Sequence, residues 1–460
     1  MKNTIIKLFA AATLLLQLSS CDSFVETDLP KSQLTNTDVF EDYATASAAL
    51  ADIYAKIRDK GMLTGAYTGL SLQLGNYADE TVSYENASSS GAAFYNNRLL
   101  PSTTALQDYW NASYNQIYAA NALIEGVEKS QNLSAENKKQ LKGEALFIRA
   151  LVHFYLTNLF GSIPYITGTD YRKNSKASRV DIQKAYEYAI ADLSSAAEML
   201  PALYSPTDRI RANKWVCRAL LSRVYLYNRQ FAEASNEASA LLNENSLFSL
   251  EQNIDRTFLL NSKETIWQLQ SAFAGQNTQE GVAFIFISTP PSVASLSPEL
   301  FQSFAADDLR KSHWIKSLSN GSSVWHHAFK YKERDNTAQS KEYSVIFRLA
   351  EQYLIRSEAR ALQGDLIGAK EDLDKVRLRA GLDKTEAATA DEIVNAVLQE
   401  RRWELFTEQG HRFFDLKRLG ELDNALSPVK PGWNTEDRLF PIPEAELSSN
   451  PNLQPQNPGY

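Results

Sequence analysis

The sequence predicts a mainly α-helical protein, in which tetratricopeptide-like helical repeats form a scaffold for an irregular, loop-rich ligand face. Three observations predict it. Apolar residues recur every three or four positions through several long segments. Two of those segments align with each other without a gap. Between and before them lie stretches broken by Gly and Pro that hold only short apolar runs.

The helical period is clearest where Leu141, Ala145, Ile148, Val152, Tyr155 and Leu159 mark one face; Gly161 ends the segment and Pro164 prevents its resumption. A second helix opens at Asp181, whose side chain suits an N-cap, and runs to about residue 200. Further helices are expected near 38–59, 107–129, 213–228, 231–243, 345–363, 366–379 and 391–408.

The internal repeat sets Ser222 on Ser357, Phe231 on Leu366, Ala234 on Ala369, Ala238 on Leu373 and Leu241 on Val376. Small residues where two antiparallel helices cross, with a large one at the turn, resemble the tetratricopeptide pattern. The 145–160 and 181–200 helices are candidates for another unit with a longer connection. The repeats cover about 108–245 and 345–420. The loop-rich ligand region covers about 61–105 and 246–345, and the tail from 427 is also irregular. The stretch 246–345 holds Gly275, Gly281, Pro290, Pro291, Pro298 and Gly321, which reads as loops with a few short strands.

At the N-terminus, Lys2 and Lys7 precede the apolar run Leu8–Leu18, which is too short to span a bilayer but has the length of a secretory h-region. Small residues then precede Cys21, as in a bacterial lipobox. The expected organisation is a signal peptide over 1–20, a lipid-anchored tether over 21–35 with Cys21 acylated, and one folded domain over 36–460. An ordinary cleaved signal with an incidental cysteine is the alternative. Several acyl chains on one residue can hold a protein on a membrane stably.

The chain carries 47 Lys and Arg against 55 Asp and Glu, a formal charge of −8. Removing the two signal lysines makes it −10. That balance opposes nucleic-acid binding, which needs a basic surface. Beyond Cys21 the sole cysteine is Cys217, in an apolar helical setting that suits a buried, inert thiol.

Motifs for common catalytic and metal chemistries are missing: there is no GxSxG, P-loop, HExxH, CxxC or EF-hand loop. His326 and His327 are adjacent, so on a strand they face opposite sides and do not share a metal. No catalytic residue, metal or cofactor is assigned. In the charged segment 392–420 an enzyme would use Glu404, Glu408 and His411. A structural reading fits better: Arg401 lies on an apolar stripe with Val394, Val397 and Leu405, and a charge facing a core must be paired. We expect Arg401 or Arg402 to be buried and bonded to a carboxylate, with Glu358 or Glu351 as partner.

Several stretches, in this order and spacing, make the chain similar to the SusD/RagB family of Bacteroidetes outer-membrane lipoproteins. After the lipobox they are YADE at 77–80, DYWNASYNQIYAANALIEGV at 108–127 and GEALFIRALVHFYLTNLFGSIPY at 143–165. They continue with FRLAEQYLIRSEARALQGD at 347–365, VRLRAGL at 376–382, ERRWELFTEQGHRFFDLKRLG at 400–420 and FPIPEAELSSNPNLQPQNPGY at 440–460. The resemblance implies four tetratricopeptide-like units, binding rather than catalysis, and a SusC-like TonB-dependent porin as partner. It implies an outer-membrane, lipid-anchored, surface location, for which Asp22, Glu26 and Asp28 behind the cysteine resemble an export signal. The cargo implied is a glycan, or in a RagB-like alternative a peptide; a surface glycosidase and a repeat adaptor are readings of other classes. An enzyme requires two carboxylates facing across a cleft. An adaptor predicts that no concave aromatic site is present.

A sugar ring has apolar faces and polar edges, so it wants an aromatic plane below it and planar polar groups around it. Two irregular segments offer that mixture. The first, read as too rich in Ser and Gly for a helix, has Tyr84, Asn86, Phe94, Tyr95, Asn97 and Arg98. The second has Phe273, Gln276, Trp314 and Trp325. The competing fate of such rings is to plug the core beneath the loops. At least two of Tyr84, Phe94, Tyr95, Trp314 and Trp325 are expected to be exposed together with an Asn or Gln nearby.

Overall fold

The computed structural model describes residues 38–460, so the signal peptide, Cys21 and the tether lie outside the described residues. Helix α1 (Tyr43–Asp59) starts where the Asp42 carboxylate accepts the Ala44 and Thr45 amides, and it buries the stripe Ala46, Leu50, Ile53 and Ile57. Helices α2 (Thr104–Lys129) and α3 (Ala135–Phe160) follow. Almost every side chain of α3 from Gly143 onward is buried, which makes it the central post of the molecule. It ends at Gly161, whose φ of 76° favours a residue without Cβ. Helix α4 (Ile182–Met199) is capped by Asp181, as its sequence predicts. Among the described residues no helix is long and apolar enough to cross a membrane.

The remaining scaffold is α5 (Lys214–Tyr227), α6 (Phe231–Leu242), α7 (Leu349–Leu362), α8 (Leu366–Arg379), α9 (Ala390–Glu404) and α10 (His411–Leu419). Each helix from α2 to α8 packs on the next, including α6 on α7 across the long insertion between them. The sequence repeat is thus a structural one. Ala234, Ala238 and Leu241 of α6 are fully buried, as are Ala369, Leu373 and Val376 of α8. The two turns also match: Gln230 N–H donates to Tyr225 O, and Asp365 N–H to Arg360 O.

The expected helix at 345–363 begins only at Leu349, because residues 344–348 form a strand. That strand, β6 (Ser344–Arg348), pairs antiparallel with β2 (Thr265–Leu269) and closes the insertion onto the scaffold. Two further two-stranded ribbons lie above: β1 (Thr81–Ser83) with β3 (Ala294–Leu296), and β4 (Ile315–Ser319) with β5 (Val324–Ala328). The strand β5 runs beside β3. The insertion is not loose. Ile254, Phe258, Phe284, Leu300, Phe304, Trp314 and Phe406 form a second apolar cluster with Trp314 fully buried. A stretch this long must bury its own apolar side chains to offset the cost of ordering it.

Buried charges join insertion and scaffold. Arg348 bonds Glu264 (3.0 Å), Glu404 (2.5 Å) and Glu408 (2.8 Å); Arg379 bonds Glu264 (2.8 Å) and Glu404; Arg310 bonds Asp308 (2.8 Å), Glu400 (2.6 Å) and Glu404 (3.0 Å). Arg401, Arg402, Glu358 and Glu351 are all paired, but the expected partners are corrected. Arg401 bonds Asp415 (2.7 Å), Arg402 bonds Asp79 (2.9 Å), Glu358 bonds Arg418 (2.7 Å) and Glu351 bonds Arg223 (2.7 Å). The reason is geometric. Arg401 faces α10, which follows it in the chain, whereas Glu351 in the first turn of α7 faces α5 across the repeat junction.

Candidate functional site

Tyr84 extends the β1–β3 pairing by one residue: its N–H donates to Val293 O at 2.8 Å, and its hydroxyl lies 3.4 Å from Ser295 Oγ. The ring stays 40% exposed. Beside it, residues Ser90–Tyr95 form a short helix, where the Ser and Gly content predicts an irregular segment. The Ser89 hydroxyl caps it by accepting the Ala92 amide at 3.0 Å, so the serines that argue against a helix interior start one instead. Phe94 anchors this helix from below, edge-on to Tyr77 and Phe440. The next residue, Tyr95, is thereby turned to a half-buried position at the surface.

The Lys430 ammonium lies 3.9 Å over the Tyr95 ring and donates to Asn76 O at 2.6 Å. Burial lowers Lys430 to about 7, against the attraction of Asp79. Burial, then the charge of Glu299, then Tyr84 raise the Tyr95 phenol, and the short helix that carries Tyr95 packs on β1, which Tyr84 extends. Asp79, on the turn that leads into β1, is clamped between Arg402 (2.9 Å) and Arg412 (2.8 Å). Asn86, Asn96 and Arg98, close by in the chain, are exposed.

Three sequence candidates are corrected. Phe94 is fully buried because it is the hydrophobic anchor of its short helix. Asn97 is buried in a left-handed turn, φ 51°, with its amide donating to Tyr77 O at 3.0 Å. Trp314 is fully buried against Phe258, and its indole N–H donates to Ile254 O at 3.0 Å. Phe273 is 56% exposed, but its loop belongs elsewhere: Gln276 uses its carbonyl to accept the Ala272 amide and lines a narrow cleft with Arg58 and Asp59. Trp325 is half-buried on β5, opposite Leu318. Strand alternation puts it on the side of His327, which packs against Phe286, while His326 turns the other way and stacks on Phe301 at 3.6 Å. The sequence reading missed Glu299, Lys430 and the His326–Phe301 stack, which come from segments remote in the chain and carry no local signal.

Glu404, Glu408 and His411, which an enzyme reading nominates, are engaged in structure. Burial pushes the Glu404 carboxyl up, but Arg379, Arg348 and Arg310 outweigh it and hold the group well below the usual range. Glu408 is held low by Arg348 and Lys330 against the same burial. His411 is buried, and burial with the neighbouring Arg223 and Arg401 keeps it neutral. Cys217 is buried, and burial pushes its thiol up. Among the described residues no three His, Cys, Asp or Glu side chains converge as a metal site.

A helical-repeat scaffold that carries an irregular face with partly open aromatic rings is the class of fold the chain defines. Comparison with known proteins specifies which kind. Residues 26–226 match a family model described as "Starch-binding associating with outer membrane", and residues 306–460 match that of the SusD family. The chain is 27% identical to SusD-like protein P2 of Formosa agariphila over 97% of this chain and 98% of that one. It is 23% identical to SusD-like protein P25 of the same organism, over 94% and 95%. Among solved structures, a SusD superfamily protein from Bacteroides vulgatus superposes with a TM-score of 0.78 at 21% identity, covering 92% of this chain and 100% of that one. A laminarin-binding SusD-like protein superposes with a TM-score of 0.76 at 24% identity, covering 91% and 99%. The chain belongs to the SusD family, a carbohydrate-binding family associated with the outer membrane.

Proposed function

We propose that this protein captures an oligosaccharide or polysaccharide at the cell surface and delivers it to a SusC-like TonB-dependent porin. The observation that carries the reading is the Tyr84–Tyr95 patch. Two partly open rings stand on elements that pack together, β1 and the short helix, with the exposed Asn86 and Asn96 close by in the chain. The rings suit the apolar faces of a sugar, and the polar groups suit its hydroxyls. The starch-binding description of the family model and the laminarin-binding structural neighbour support a glucan-like cargo. Acylation of Cys21 would hold the chain on the membrane while the scaffold faces the porin.

The test is retention of the purified, delipidated chain on starch and on laminarin, with a peptide library as the alternative ligand. Retention by either polysaccharide supports the reading. Retention by peptides alone would turn it to the RagB-like alternative. Cys21→Ser is expected to release the protein from the membrane fraction, and an unchanged, normally processed lipoprotein would refute the anchor.

A further inference from the structure

A groove of about 370 Å³ opens between α2, the connector 164–175 and the C-terminal segment 446–453. Helix α2 lines it with Trp110, Tyr114 and Tyr118, at i, i+4 and i+8. Successive rings are therefore offset by roughly 6 Å along the helix, comparable to the length of one pyranose unit. The ladder climbs from a buried floor to an open rim: Trp110 is 3% exposed, Tyr114 half-buried and Tyr118 50% exposed. Across the mouth stands Tyr171, 80% exposed.

The ladder is held in place from within. Trp110 and Tyr114 touch at 4.9 Å between ring centres, and the Tyr114 hydroxyl donates to Pro164 O at 2.9 Å. The polar edges are only half engaged. Gln107 Nε2 donates to Asn111 Oδ1 (3.0 Å) and to Glu446 Oε1 (2.8 Å), which leaves the Asn111 amide N–H groups and Glu446 Oε2 for a ligand. Asn174 donates to Gly168 O at 2.9 Å and keeps its own carbonyl. No Lys or Arg lines the groove, and Glu446 disfavours an anion. Aromatic faces, amide and carboxylate edges and no positive charge match an uncharged sugar chain.

We infer that this groove is a second carbohydrate subsite, taking two or three units of a neutral glycan whose other end occupies the Tyr84–Tyr95 patch. The surface between them supports the link. A neighbouring depression of about 770 Å³ shares Asn111 with the groove and reaches Ser90, the first residue of the short helix that ends in Tyr95. A polymer that spans both subsites is held at two points, whereas an oligosaccharide seated on the patch alone is held at one. The inference rests on the reading of the protein as a glycan binder.

The test uses the full folded chain with Tyr118→Ala/Tyr171→Ala and, separately, Tyr84→Ala/Tyr95→Ala, each checked by circular dichroism. The probes are starch and laminarin by affinity electrophoresis, and their hexasaccharides by calorimetry. The groove variant is expected to weaken polymer binding by about tenfold through lost bivalency, while hexasaccharide affinity stays within about twofold. Unchanged polymer retention overturns the second subsite and leaves the first standing. If the groove variant loses polymer binding and the Tyr84 variant keeps it, the groove stands and the first site falls. No retention of either polymer by the wild-type chain overturns both. A groove variant that keeps all glycan binding but no longer co-purifies with a membrane barrel marks the groove as a protein-docking surface and also overturns the proposal.

Discussion

Arg229 and Gly364 occupy the same position in two helical hairpins and share a left-handed backbone, with φ 60° and 86°. Each ends the first helix of its unit. Arg229 N–H donates to Leu226 O as Gly364 N–H donates to Ala361 O. Glycine adopts this conformation without strain, whereas a side chain with Cβ costs about 1–2 kcal/mol there. Arg229 is exposed, and open space surrounds Gly364.

The two positions therefore predict opposite responses. Arg229→Gly should raise stability by about 0.5–1 kcal/mol, and Gly364→Ala should lower it by about 1 kcal/mol. Urea titration of both variants measures this. A shift of the same sign in both would show that the turns are not equivalent.

Arg348 is the hub of the buried charge network, reaching Glu264, Glu404 and Glu408 from the last residue of β6. Arg348→Leu leaves those carboxylates short of a partner, and breaking a buried pair from one side typically costs about 3–5 kcal/mol. A loss of that size in chemical denaturation is expected. A loss under about 1 kcal/mol would mean that Arg379, Arg310 and Lys330 suffice without it.

Burial and the adjacent Asp79 raise the Glu80 carboxyl to about 8, against Lys330 and the Thr407 amide. The folded value lies above the unfolded one, so the native state binds the extra proton between about 4.5 and 8. The associated stability is present below that window and is lost as pH rises through it. Glu80→Gln keeps the neutral form at every pH. It should match the wild type near pH 5 and exceed it by about 2–4 kcal/mol near pH 9. Melting curves at both pH values check this, and an identical difference at the two would contradict it.

The scaffold was legible in the sequence because helix, cap and repeat are local or periodic. The 3.6-residue stripe, Asp181 and the Ser222–Ser357 alignment all appear as helix, cap and matched hairpin. The ligand face was legible only in part. Tyr84 and Phe94 look alike as aromatics in a polar loop, yet one is open and the other is an anchor, and the difference is a six-residue helix started by Ser89. Trp314 sits in a loop-rich segment whose own core the local composition does not show. Arg401 carried a clear signal that it must be paired. It could not name Asp415, since several acids were compatible with the helical stripe and only the packing of α10 on α9 chooses among them.

The central claim is that Tyr84 and Tyr95 hold a sugar. Its most direct measurement is calorimetric titration of the Tyr84→Ala/Tyr95→Ala chain with hexasaccharides of whichever glucan the wild type retains. The account predicts affinity at least about tenfold weaker, a loss of about 1.4 kcal/mol or more, with an unchanged melting temperature because both rings lie partly outside the core. Affinity within twofold of the wild type, with the fold intact, would contradict it.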